Sequence, residues 1–470
     1  MKKIILSIII WGIVVIITTP KSSANTFDSA YAQILQSRIE QLKNTYALVG
    51  ISAAALVPGQ GIWTGASGIS SSDSDDITSE MVFGAGSVTK NFIAAMILQL
   101  DEEDSLDIND SLGKWLPAYT NINSSATLKQ LMNHTSGIYN VTDNPNFIAA
   151  ISSDLNRFWT IEEVLTGGYV LNPYFNPGAG WRYSNTNYML LGLIIANIME
   201  TNLTALFHER FYSPYNLSGS FFEIDDSVTA PFAHNWADIT GTGVIQDAFF
   251  LPKTALNSST VGAGGVISRP ENLVRYSDNL FNGNIINSNS LIQMLTFRPA
   301  NISGANGYGL GTMRYTVSGR YGYGHGGNTF GYTTVMIYDP VDKISITIMM
   351  NKDHSGGAVG VAFMNTVIQN NPVGISTLAN SNPEKFSLHQ NFPNPFNPVT
   401  NIKFELTNKE FVTLSVLKVL GQEVQVLYKD VLSSGTHSYS WDASGFTSGV
   451  YFYKLKTESQ TEVKKMLLFK

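Results

Sequence analysis

The chain has no cysteine in 470 residues. That excludes disulfides, thiol nucleophiles and cysteine-ligated metal centres, and leaves the packed core alone to hold the fold. Neither the G-x-S-x-G elbow nor an H-x-H-x-D zinc pattern occurs, so lipase-like and zinc hydrolase chemistries have no support in it. A phosphate loop and a basic stripe are also missing. The formal net charge is −7, unevenly spread: residues 1–24 carry three lysines and no acid, residues 383–470 carry ten lysines against eight acids, and the body between stands at −12. So acidic a body argues against nucleic acid or an anionic membrane surface as partner.

Long apolar runs are scarce as well. One lies at the start, where Met1-Lys2-Lys3 precedes Ile4 to Ile17 and then the small-residue stretch Ser22-Ser23-Ala24. This reads as a signal peptide over residues 1–24, because fourteen apolar positions are short for a spanning helix; an uncleaved anchor is the alternative. The chain is therefore expected to be exported. Its length and 44% hydrophobic content suit two or three globular domains.

What is present is an ordered set of three motifs: Ser87-Val88-Thr89-Lys90, Tyr183-Ser184-Asn185 and His325-Gly326-Gly327. Ser87 follows the Gly84-Ala85-Gly86 turn and opens a run with Phe92, Ile93, Met96, Ile97 and Leu100 at helical spacing. Ser87 and Lys90 then share one face, bringing an amine to a hydroxyl. The plainer reading of Ser87 is a helix N-cap. Competing S-x-x-K runs are weaker, since Gly113 and Pro117 spoil a helix after Ser111, and no Y-x-N follows Ser415. Tyr183 leaves a Pro177-Gly178 loop just before an apolar helix, where Asn185 is either a projecting side chain or that helix's cap and Tyr183 either a site residue or core. Strict alternation puts Tyr321, Tyr323, His325 and Gly327 on one strand face. Gly327 leaves that face bare, so a substrate backbone is expected to lie there as an added strand with His325 beside its end.

With Phe83-Gly84-Ala85-Gly86 before the first motif, Leu131-Met132-Asn133-His134-Thr135-Ser136-Gly137, and Gly262-Ala263-Gly264-Gly265, this set resembles the penicillin-recognising serine hydrolases: class C β-lactamases, D-alanyl-D-alanine carboxypeptidases, D-aminopeptidases and related esterases. The resemblance implies an α/β (α+β) β-lactamase/transpeptidase-like fold, an antiparallel sheet flanked by helices plus a helical subdomain. It also implies Ser87 as the nucleophile of an acyl-enzyme, with Lys90 and Tyr183 sharing the proton transfers, neither being singled out as the base. Asn185, His325 and Gly327 would bind substrate, and the backbone N–H groups of Ser87 and Asn328 would form the oxyanion hole. No cofactor or metal is called for. Where class C β-lactamases have lysine this chain has His325, which favours the peptidase and esterase branches and makes recognition of a substrate carboxylate pH-dependent.

His134 is expected to tie a turn by hydrogen bonds, not to catalyse. Asp101-Glu102-Glu103-Asp104 is a solvated helix end, because four consecutive positions cannot converge on one ion.

From Asn371-Pro372 the composition changes. A linker is expected over residues 373–390, the hydrolase domain over 25–372 and a small C-terminal β-sandwich over 391–470, its strands near 402–406, 412–419, 423–428, 437–441 and 450–455. On Pro393-Asn-Pro-Phe-Asn-Pro398, Gly435-Thr-His-Ser-Tyr-Ser-Trp441, Gly449-Val-Tyr-Phe-Tyr453 and the terminal Lys464–Lys470 run, this tail resembles the sorting domains of the type IX secretion pathway; a generic Ig-like binding module is the plainer reading. The expected partners are secretion machinery and a small peptide, β-lactam or ester substrate. The expected function is a D-alanyl-D-alanine carboxypeptidase-like or β-lactamase-related hydrolase; an esterase, a non-catalytic β-lactam or muropeptide sensor, and a surface adhesin are the other classes.

Overall fold

A glycine- and proline-free run places Tyr31, Leu35, Ile39 and Leu42 on one buried stripe, and so makes helix α1 (Ser29–Thr45), capped by Asp28, which accepts the Tyr31 amide at 2.7 Å. In this computed structural model residues 27–371 and 385–469 are described, apart from Ile224, Leu420 and Ser433; the expected signal peptide and residues 373–384 of the expected linker lie outside them.

Behind α1 runs an eight-stranded antiparallel sheet. It comprises β1 (Gly50–Val57) and β2 (Gly61–Gly68) from the start of the chain. From its end come β3 (Arg298–Ile302), β4 (Ala305–Tyr308), β5 (Met313–Val317), β6 (Arg320–Thr329), β7 (Tyr332–Asp339) and β8 (Ile344–Met350). The order is β2-β1-β8-β7-β6-β5-β4-β3, so β1 pairs with β8 (Ile51 opposite Met350, Ala54 opposite Thr347).

Both faces of the sheet are covered, which is why all eight residues of β7 are buried. Val335 and Ile337 point towards α1 and the closing helix α5 (Gly356–Asn370), while Met336 and Tyr338 point into the larger core on the other side. Tyr31 ties the first helix to the last by donating to the Val367 carbonyl at 2.7 Å. The second face carries α2 (Thr89–Glu102) and α4 (Pro270–Phe281), with α3 (Asn185–Met199) and several short helices between them forming the expected helical middle.

One local expectation fails. The Ser111 stretch does form a helical turn, Leu112–Trp115, ending before Pro117, and Lys114 pairs with Asp110 at 2.7 Å instead of turning to Ser111. The acidic run at 101–104 is a helix end as expected: Asp101 accepts from the Ile108 amide, and Glu103 takes Arg210.

The C-terminal residues form two sheets. One has the order Ser387–Leu388, Val399–Leu406, Gly435–Asp442; the other Glu423–Leu432, Glu410–Lys418, Gly449–Lys456, Thr461–Leu468. Phe396, Trp441 and Tyr453 fill the space between them, so these aromatic residues are core, while Phe392, Phe411 and Phe469 are exposed. Leu388 is buried in it, which moves residues 387–390 from the expected linker into the sandwich. Thr461–Leu468 escaped notice because its outward positions include Lys465, a charge that blunts an edge strand.

Candidate active site

Ser87 stands on a one-turn 3-10 helix, Gly86–Val88, between the short strand Phe83–Gly84 and α2. Gly86 has φ +52°, and a Cβ there would lie 2.7 Å from the Asn328 carbonyl oxygen, so only glycine lets this turn approach the end of β6. Thr89 fixes the turn by donating its hydroxyl to the Gly86 carbonyl at 2.7 Å and accepting the Val266 amide at 3.1 Å. The cap reading of Ser87 does not hold: the residue before α2 is Val88, with no side-chain cap.

The Ser87 hydroxyl instead meets Lys90 Nζ at 2.9 Å and the Tyr183 hydroxyl. Lys90 is fully buried; its Nζ also donates to the Ala263 carbonyl at 2.7 Å and lies 5.1 Å from the Tyr183 ring centre. No carboxylate pairs with it among the described residues, and burial alone pushes its amine well below the ordinary lysine value. Tyr183 is pushed the other way, above the usual phenol range, because its surroundings disfavour a phenolate. The site thus sets an amine whose charged form is disfavoured beside a phenol whose ionised form is disfavoured, around one hydroxyl.

Asn185 is the first residue of α3. Its amide nitrogen donates to Thr142 Oγ1 at 2.9 Å and its backbone N–H to Asn140 Oδ1 at 2.8 Å, which fixes the side chain in the wall of the Ser87 pocket. That pocket has a volume of about 150 Å³, room for one small residue. Asn328 and Phe330, at the end of β6, line it, as do Glu223 and Asn257. Among the described residues no lysine or arginine lines it.

The third motif departs from expectation twice. Gly327 does not present a bare face to substrate: a Cβ there would come within 2.1 Å of the Ala85 carbonyl oxygen and 2.8 Å of the Ser87 nitrogen. The space is taken by the turn that bears Ser87. Gly327→Ala is therefore expected to push that turn aside and cut kcat by about 10²-fold, the cost of an ångström's misplacement. Measurement of kcat beside the thermal midpoint separates this from simple loss of fold.

His325, expected as a titratable contact to the substrate's end, is fully buried with both nitrogens used. Nδ1–H donates to the Gly326 carbonyl at 2.5 Å, so Nε2 carries the lone pair that accepts from the Tyr308 hydroxyl at 2.8 Å. Burial, and then the nearby Lys90, push its pKa down to about 3. It is therefore neutral through the neutral pH range. Profiles of kcat/KM against pH for a carboxylate-bearing and a neutral substrate should show no histidine inflection between about pH 5 and 8, and His325→Gln should keep the wild-type profile shape. Had His325 bound the carboxylate as imidazolium, the charged substrate alone would lose rate as pH rises.

His134 does more than close its own turn. Its Nδ1 accepts from the Ser184 amide at 3.3 Å and faces the Asn187 amide nitrogen at 3.2 Å, while its carbonyl accepts from the Arg182 N–H at 3.0 Å. These bonds hold the loop carrying Tyr183, whose ring centre is 4.3 Å from the imidazole. Tyr308 and Glu223 lie outside every motif and carry no sequence signal; the Gly262–Gly265 landmark does, through the Ala263 carbonyl on Lys90.

A family model described as Beta-lactamase matches residues 35–371, and one described as Secretion system C-terminal sorting domain matches residues 390–468. The second match marks an exported, secreted or cell-surface protein. Among curated proteins the chain is similar to Penicillin-binding protein 4* of Bacillus subtilis (strain 168), 24% identical over 302 residues, 58% of this chain and 61% of that protein. The chain spans less than two thirds of the length of the curated relatives it matches. Among solved structures it resembles a D-stereospecific amidohydrolase from Streptomyces sp. (26% identity, TM-score 0.61, 71% of this chain and 98% of that one). It shares the fold of a D-amino acid amidase from Ochrobactrum anthropi SV3 (22%, TM-score 0.65, 73% and 99%).

Proposed function

Because the chain belongs to the Beta-lactamase family, we propose that it is an exported serine hydrolase that cleaves a small amide, a D-amino-acid amide or peptide, through an acyl-enzyme on Ser87. The observation that carries this reading is the 2.9 Å approach of a fully buried, unpaired Lys90 amine to the Ser87 hydroxyl. A neutral amine has a lone pair for the serine proton, whereas a protonated one has none.

In the first step the Ser87 Oγ forms a bond to the substrate carbonyl carbon as its proton passes to Lys90. The carbonyl π electrons move to oxygen, where the N–H groups of Ser87 and Asn328 receive the charge; one such donor is worth about 2.7 to 4 kcal/mol. Collapse breaks the C–N bond. The leaving nitrogen takes a proton from the Tyr183 hydroxyl, which regains one from Lys90, so that both groups end neutral. Water then attacks the ester with Lys90 or Tyr183 as its base, and releases the acid and Ser87.

The pocket favours the amide branch over a carboxypeptidase, because neither a cation nor a chargeable histidine waits there for a terminal carboxylate. Parallel assays on a D-amino-acid amide, a D-Ala-D-Ala peptide, nitrocefin and p-nitrophenyl acetate test it. The amide and the ester should turn over, and faster turnover of the carboxylate-ended peptide would refute the substrate assignment. The sandwich, by the same proposal, is an address that takes no part in the chemistry.

A further inference from the structure

Glu223 follows the two-residue strand Phe221–Phe222, which pairs with Val266–Ser268, and its backbone N–H donates to the Gly265 carbonyl at 2.7 Å. Glu223 lines the same pocket as Ser87 and Asn185, yet the acyl-transfer steps make no use of it. Asn257 is its side-chain hydrogen-bond partner, and it makes no ion pair among the described residues. Lys253, the cation in its vicinity, is turned instead to aromatic faces, 4.3 Å from the Phe249 ring centre and 5.2 Å from that of Phe232. An acid at the wall of a small reactive pocket, which feels Lys253 but makes no direct ion pair with it among the described residues, is suited to a cation brought by the substrate.

We propose that Glu223 receives the free ammonium group of the substrate, so that the enzyme selects amides or peptides of amino acids whose α-amine is unblocked. This rests on the acyl-enzyme reading of Ser87 and narrows its substrate class. Size agrees: about 150 Å³ holds one small residue, and Ser87 and Glu223 both line that space. Burial of the carboxyl in the empty pocket pushes it up to about 7, against the pull of Lys253 and Asn257. The other titratable group facing it is Tyr332, itself held neutral by burial. The acid is therefore ionised above about pH 7, while an α-amine keeps its proton up to about pH 8.

The test compares kcat/KM for D-alaninamide with that for N-acetyl-D-alaninamide, using the full chain, with p-nitrophenyl acetate as a neutral ester. Wild type should prefer the free amine by roughly ten- to a hundred-fold, the worth of a charge-assisted hydrogen bond. That preference should rise with pH through about 7 and fall above about 8. Glu223→Gln should abolish the preference and Glu223→Asp should keep part of it. A fluorescent penicillin adduct on Ser87 in each variant shows whether the pocket is still assembled. Equal rates on both amides in wild type, a preference that is flat across that pH range, or one that survives in a labelled Glu223→Gln protein would each overturn the proposal. Should the glutamine variant fail to fold, the wild-type pH dependence and the aspartate variant decide. Loss of Ser87-dependent ester turnover in wild type would instead sink the acyl-enzyme reading itself, so the two failures are distinguishable.

Discussion

Ser87→Ala is expected to abolish turnover of every substrate class, by on the order of 10⁴- to 10⁶-fold, the range seen when a nucleophile is removed from a preformed serine site. The variant should fold normally, because the Ser87 hydroxyl supports no helix cap and, among the described residues, has Lys90 and Tyr183 as its hydrogen-bond partners. Incubating wild type with a fluorescent penicillin and mapping the adduct by mass spectrometry should find the label on Ser87 and nowhere on Ser111, whose nearby Lys114 is engaged with Asp110. A non-catalytic sensor would label at Ser87 and then stop. Measured release of product after the acyl-enzyme forms therefore separates an enzyme from a sensor. Undiminished turnover in the alanine variant would remove Ser87 from the mechanism.

Lys90→Met is expected to have the second largest effect, and on two quantities in opposite directions. Activity should fall by about 10²- to 10⁴-fold, the usual worth of a proton-transfer group, because no other base touches Ser87 except a phenol held neutral. Stability should rise, on the order of 1 kcal/mol, because a buried amine without an anion is replaced by an apolar chain of similar length. The sign of the pH dependence follows from the depressed lysine. In the unfolded chain Lys90 keeps its ordinary value of 10.5, while in the folded chain it has already lost its proton below that. Between the two values the unfolded state binds the extra proton, so wild-type stability climbs with pH through that window; the methionine variant should lack that part of the slope. Lys90→Arg, which keeps the charge at every pH, should lose as much activity as methionine and also lose stability. Denaturant midpoints at two pH values, read beside kcat, check all three statements. An arginine variant with near wild-type rates would mean that Lys90 acts as a cation and not as a base.

Local chemistry was legible in the chain and its neighbours across space were not. Ser87 and Lys90 are three residues apart on one turn, so spacing alone brings them together. His325 and Gly327 were assigned the correct strand. What fills the space before them, however, is the 85–88 turn, some 240 residues earlier in the chain, and a bare glycine face reads the same whether a substrate or a protein backbone lies against it. The charge of His325 was misjudged for a related reason, since burial and the Tyr308 partner come from β4 and from the closure of the sheet. Glu223 has no motif at all, and its pairing with the Gly265 backbone arises only when two short distant strands meet. The linker boundary slipped because Ser387–Leu388 is two residues long, too short for a periodicity to register.

The pairing of β1 with β8 also sets a schedule. Residues 50–57 pair with the adjacent 61–68 strand but find their other neighbour only when residues 344–350 exist, and Lys90 meets the Ala263 carbonyl, and Gly86 the Asn328 backbone, only across comparably long stretches of chain. Contacts so distant in sequence form late in folding. On the acyl-enzyme reading proposed above, a chain still unfolded would carry Ser87 without the surroundings that activate it, and the site would be complete only when the two ends of the catalytic region meet.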